Sequence, residues 1–94
     1  MKIQREPIAE ALWTEAAPII QAGFLEFDPH PEIPLEIDRA AYYTLQKLDA
    51  LRIYMAREDG RVLGYVAFVV SPSLRRRGQK QAQQDAIHVL PEAR

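Results

Sequence analysis

The stretch Leu51-Arg52-Ile53-Tyr54-Met55-Ala56-Arg57-Glu58-Asp59-Gly60-Arg61-Val62-Leu63-Gly64-Tyr65-Val66-Ala67-Phe68-Val69-Val70 decides the fold. Two β-rich runs flank Asp59-Gly60, a dipeptide that accepts the positive φ of a tight hairpin turn. In the second run Val62, Gly64, Val66, Phe68 and Val70 share one face, and Leu63, Tyr65, Ala67 and Val69 the other. Both faces are apolar, which predicts a central strand covered on both sides. Gly64 inside it marks a bulge or a close backbone approach, and Pro72 ends it. A further apolar run, Ala86-Ile87-His88-Val89-Leu90, predicts a third strand, with the polar residues 81–85 extending it or leading into it.

Upstream the period changes. Ile8, Leu12, Ala16 and Ile19 recur at helical spacing, widened by Trp13, Ala17 and Ile20, with Pro7 suited to the first turn. Pro18 lacks an amide proton, so a kink or break is expected near residues 14–17. Gly23 marks the expected end of that helix. Pro29, Pro31 and Pro34 make residues 28–34 a loop, and His30 within it has no second pair of ligands at metal-binding spacing. Asp38 is a good N-cap for a second helix, with Ile37 and Tyr42 placed as a hydrophobic staple. Ala41, Leu45 and Leu48 form its apolar face. Tyr42 and Tyr43 are adjacent, so one is expected in the core and the other on the surface. The Met1–Glu6 stretch reads as a strand edge or a lead-in. The predicted class is α+β: two N-terminal helices on a small, mainly antiparallel three-stranded sheet, as a single domain over residues 1–94.

The chain has 94 residues and no cysteine, which removes disulfides and thiolate metal sites and fits a reducing, cytoplasmic setting. No apolar run approaches the length of a membrane span, so no membrane partner is expected. Residues 1–50 carry four Lys/Arg against nine Asp/Glu, and residues 51–94 carry eight against four. Such poles suit two partners or two copies head to tail. The basic excess is local and not interleaved with aromatics, so nucleic acid is not the expected partner.

Its centre is Arg75-Arg76-Arg77-Gly78-Gln79-Lys80, four cations in six positions, able to meet a phosphate or an acidic protein surface. Asp85 and His88 are the candidate catalytic pair, although a separation of three sends them to opposite faces of a regular strand.

The order helix, helix, hairpin, basic loop, strand, together with R-x-D-G-x-x-x-G-Y over Arg57–Tyr65 and D-A-I-x-V-L-P-E-x-R over Asp85–Arg94, resembles the GNAT N-acetyltransferase superfamily, in particular a phage-encoded branch. The resemblance makes the hairpin the second and third strands of that fold and residues 83–94 its fourth strand and the lead into the acetyl-CoA loop. That family grips the cofactor pyrophosphate with an R/Q-x-x-G-x-G/A loop opening a helix. Arg94 stands at the first position of that motif, and its glycines lie beyond the sequence.

The resemblance therefore implies the N-terminal half of such a domain, with no cofactor expected and no complete enzyme. The function it implies is protein binding by a non-catalytic phage or prophage protein, such as an anti-CRISPR inhibitor of host defence. The surfaces expected to bind a protein partner or a second copy are Arg75, Arg76, Arg77, Lys80, Ile87 and Val89, through an exposed sheet edge. The alternative it implies is a fragment of an enzyme that moves acetyl from acetyl-CoA to an amine. In that case acetyl-CoA is the cofactor, with Asp85 and His88 as candidate catalytic residues.

Overall fold

Asp59 and Gly60 take φ values of 52° and 78°, the left-handed pair that a two-residue hairpin turn requires. The turn joins β2 (Leu51–Glu58) to β3 (Arg61–Pro72) in a computed structural model that describes residues 1–30 and 32–94; Pro31 of the expected proline loop lies outside them. The remaining elements are β1 (Lys2–Arg5), α1 (Glu10–Phe27), α2 (Arg39–Lys47), β4 (Lys80–Val89) and a single 3-10 turn at Pro91–Ala93. All strand pairs are antiparallel, in the order β1-β2-β3-β4.

The sheet thus has four strands, not three. The added one, β1, pairs Lys2 with Arg57 and Arg5 with Tyr54. Its four residues are all exposed and three are polar, so it carries none of the apolar alternation by which a half-buried strand is recognised. Gly64 behaves as expected. A Cβ there would lie 3.0 Å from the His88 carbonyl oxygen and 3.2 Å from Val89 Cα, and the β2–β3 register slips beside it, between Ala56 and Arg57.

Both helices lie on one face of the sheet. The core joins Ile8, Leu12, Trp13, Ala16 and Ile19 to Leu51, Met55 and Val62. On the other face Tyr54, Val66 and Ile87 stand side by side across three strands, and Ile87 is 55% exposed. Among the described residues no helix covers that face, so the expectation of cover on both sides fails.

α1 also departs from its reading. It starts at Glu10 rather than Pro7 and runs unbroken through Pro18 and past Gly23 to Phe27. Pro18 removes the amide that would reach the Thr14 carbonyl, but both residues sit on the exposed side of the helix, where solvent can satisfy the orphan acceptor. The Asp38 carboxylate accepts from the Ala41 amide at 3.0 Å, as an N-cap should.

Tyr42 and Tyr43 do not divide between core and surface: Trp13 stands between them, with ring centroids at 5.8 and 6.4 Å. Its indole N–H donates to the Tyr43 hydroxyl at 3.1 Å. The Gln46 side chain accepts from the Ile8 amide at 2.6 Å and donates to the Ile8 carbonyl at 3.3 Å. That clamp ties the approach to α1 onto α2.

Arg57 anchors the opposite side. Its guanidinium donates twice to Glu6, at 2.8 Å each, and to Glu15 at 2.6 Å. These bonds hold both carboxyls below the usual carboxylate value and keep the arginine charged.

Candidate functional site

β4 supplies the floor of the site, and an irregularity in it sets the chemistry. Ala86 pairs with Ala67, but Gln84, not Asp85, pairs with the next residue, Phe68. Asp85 is therefore an extra residue in the ladder, a β-bulge. In a regular strand Asp85 and His88 face opposite sides; the bulge shifts the parity, and both end on the helix side.

The contacts confirm the shift. The Tyr42 hydroxyl, from the first turns of α2, donates a short hydrogen bond to Asp85 Oδ2. His88 lies under α1, and a Cβ on Gly23 would sit 3.0 Å from its Cγ. The two candidate catalytic residues share one groove of about 510 Å³ between α1, the start of α2 and β4. Phe24, Phe27, Leu35 and Tyr65 form apolar parts of its walls, and Asp28 and Gln84 add polar groups.

Burial raises the pKa of both Tyr42 and Tyr65, and the Asp85 charge raises them further. Both therefore remain neutral phenols able to donate. Asp85 Oδ2 is occupied by Tyr42, which leaves Oδ1 for a cation. His88 is 4% exposed, sealed by Gly23 and by the edge of Phe27 at 5.6 Å. Neither of its nitrogens finds a hydrogen-bond partner among the described residues, a condition that costs about 1–3 kcal/mol per buried polar group.

The other expected residues do not gather here. Arg75, Arg76 and Arg77 lie in the exposed β3–β4 loop, and Lys80 opens β4. Ile87 and Val89 sit near the far end of β4, on the open face. Nine residues of strand at roughly 3.3 Å each separate Lys80 from Val89, so the six expected partner-binding residues form two surfaces rather than one.

Arg94 Nη1 and Nη2 donate to Glu26, each at 2.9 Å, and Nε donates to the Val89 carbonyl. Its guanidinium also lies 5.2 Å from the Phe27 ring centre. Among the described residues no group of His, Asp and Glu could hold a metal, and no helix is long and apolar enough to cross a membrane. Tyr42, Tyr65, Gly23 and Phe27 were not singled out as site residues in the sequence. Tyr65 alone carried a signal, as the last position of the hairpin motif.

No protein-family model matches this sequence, and no curated protein matches it significantly. Solved structures do. A ribosomal-protein-alanine N-acetyltransferase from Brucella melitensis biovar Abortus 2308 aligns with a TM-score of 0.68 at 22% identity, over 98% of this chain and 60% of that one. The fold is GNAT-like. An acetyltransferase from Trypanosoma brucei gives a TM-score of 0.61 at 17% identity, over 99% of this chain and 63% of that one. An aminoglycoside 6'-N-acetyltransferase from Acinetobacter haemolyticus gives 0.57 at 13% identity, over 100% and 60%. This chain thus spans about three fifths of the length of each.

The fold raises the question of acetyl-CoA. β4 is an edge strand among the described residues, and its outward amides and carbonyls are able to pair with an extended ligand. The pyrophosphate is another matter. The four glycines of the chain lie in α1, the β2–β3 turn, β3 and the β3–β4 loop, and none opens a helix as a phosphate cradle does. Asp38 occupies the N-terminus of α2, and Glu10 stands in the first turn of α1, so both helix starts repel an anion.

Proposed function

We propose that this chain is the amine-binding half of a GNAT-type N-acetyltransferase, with the pyrophosphate-binding part of the cofactor site outside residues 1–94. One observation carries the reading: the β4 bulge brings Asp85 to the helix side, where Tyr42 fixes its carboxylate in a groove with apolar walls. A carboxylate so held, with one oxygen free, suits a protonated primary amine. His88, which lines the same groove and whose nitrogens find no partner among the described residues, is the candidate group for receiving the amine's proton once Phe27 moves aside.

The test is acetyl transfer from acetyl-CoA to a panel of primary amines, followed by mass spectrometry. Transfer above the uncatalysed rate is expected, with weak saturation by acetyl-CoA because its pyrophosphate is not gripped. Asp85→Asn should abolish it. A folded protein that gives no transfer above background, or one indifferent to Asp85→Asn, rules the proposal out.

A second reading has its own observation. Leu74 is 99% exposed at the tip of the β3–β4 loop. Next to it, Arg75, Arg76, Arg77 and Lys80 make no ion pair among the described residues. An apolar tip ringed by free cations suits an acidic protein surface. A non-catalytic phage inhibitor, of the anti-CRISPR kind, is one form of that reading, and a homodimer through the β4 edge is another. Charge reversal at Arg75–Arg77 that left the chain folded but abolished partner capture would favour it.

A further inference from the structure

Behind Asp85 lies a second space. A cavity of about 70 Å³ sits between α1 and the sheet, lined by residues that include Trp13, Ala16, Met55 and Ala67. Ile20, Tyr42, Tyr65 and Ala86 line both this cavity and the groove, so the two adjoin at these side chains, and one of them, Tyr42, holds the Asp85 carboxylate. The polar side-chain groups in its lining are few. They are the indole N–H of Trp13, already given to Tyr43, and the hydroxyls of Tyr42 and Tyr65, of which Tyr42 already donates to Asp85.

With the Tyr65 hydroxyl as its one uncommitted polar group, this void offers water fewer than the two to four polar partners it needs. An apolar cavity of roughly 150 Å³ holds benzene, so about half that volume suits a short branched aliphatic group and not an aromatic ring.

From the junction of a fixed carboxylate and a dry apolar cavity we infer the acceptor class: a primary amine carrying a short branched aliphatic group. The ammonium sits at Asp85 Oδ1 and the aliphatic group enters the cavity between Tyr42 and Tyr65. The inference rests on the proposed amine-binding role and adds to it the chemistry of the amine. Ala67, 3% exposed on β3, then acts as a specificity residue, because its small side chain leaves the cavity open.

The experiment is calorimetric titration of the full chain with 3-methylbutylamine, ethylamine and 3-methylbutan-1-ol, repeated on Ala67→Val and Asp85→Asn. Each methylene moved from water into an apolar site is worth roughly fourfold in affinity. Three extra carbons should therefore make 3-methylbutylamine bind on the order of 50-fold tighter than ethylamine. Ala67→Val should erase most of that advantage and leave ethylamine unchanged; Asp85→Asn should weaken both amines.

Equal affinity of the two amines for the unmodified chain overturns the inference even if Ala67→Val fails to fold. An alcohol that binds as well as the amine, with no effect of Asp85→Asn, overturns it together with the amine-binding role. If the amine series behaves as expected but no bound amine is acetylated, the acetyltransferase proposal alone falls.

Discussion

Gly23 lies inside α1, and replacing it with alanine sets two known effects against each other. In a helix interior the change from Gly to Ala is worth about 1 kcal/mol in favour of the folded state. Here the new Cβ would lie 3.0, 3.1 and 3.3 Å from Cγ, Nδ1 and Cβ of His88. The imidazole has little room to retreat, because it is 4% exposed and Phe27 packs on it. Overpacking of a filled site costs about 1–3 kcal/mol. The expected net effect of Gly23→Ala is a loss of about 1 kcal/mol, which lowers Tm by about 4–8 °C in a domain of this size.

The decisive measurement is the same substitution in a His88→Ala background, where the clash is gone. There Gly23→Ala should stabilise by about 1 kcal/mol, so a double-mutant cycle read by urea denaturation should give a coupling of about 2 kcal/mol. If Gly23→Ala shifts stability equally in both backgrounds, the close approach of α1 to His88 is not what requires glycine, and the reasoning fails.

Two further predictions concern the scaffold. Tyr43→Phe removes the acceptor of the Trp13 indole N–H and leaves a donor unpaired in a residue 8% exposed. A loss of about 1–2 kcal/mol in thermal unfolding is expected, whereas an unchanged Tm would show that the indole finds another acceptor. The Arg57 cluster predicts the acid limb. Because Glu6 and Glu15 have folded values below 4.5, their contribution is fully present above pH 4.5 and is lost as pH falls through the lowered values. Arg57→Met should therefore unfold less steeply with acid than the parent chain, as judged by circular dichroism; parallel acid limbs would count against it.

The parts of the fold that were legible obey a single local rule each. Asp59-Gly60 sets the turn, Asp38 caps its helix and Gly64 marks a close approach, because in each case the residue type alone meets the geometric demand. β1 stayed open between a strand edge and a lead-in because an edge strand of four exposed residues has no buried face to imprint on its sequence. The Trp13–Tyr42–Tyr43 stack and the Gln46 clamp were missed for another reason. Adjacent aromatics and a surface-spaced amide look alike whether or not a second helix crosses them, and that crossing is tertiary. The open sheet face shows the converse: Val66, Phe68 and Val70 predict cover from apolarity alone, but apolarity does not say what supplies it.

Two misreadings fall on the same place, and their coincidence is informative. A glycine in mid-helix normally signals a helix end, since it weakens the interior by about 1 kcal/mol; α1 keeps Gly23 in its interior, directly over His88. A polar run before an apolar strand normally continues it at period two; β4 instead inserts Asp85 as a bulge, losing a ladder pair. Each irregularity weakens the element that contains it. Neither improves the core, because the groove they shape leaves two imidazole nitrogens without a partner among the described residues. Local rules are broken in this way where a protein uses geometry for something other than folding. Here the broken helix rule and the broken strand rule meet at His88 and bring Asp85 into the same groove. That convergence, more than the fold it shares with acetyltransferases, is the support for the amine site proposed in this groove.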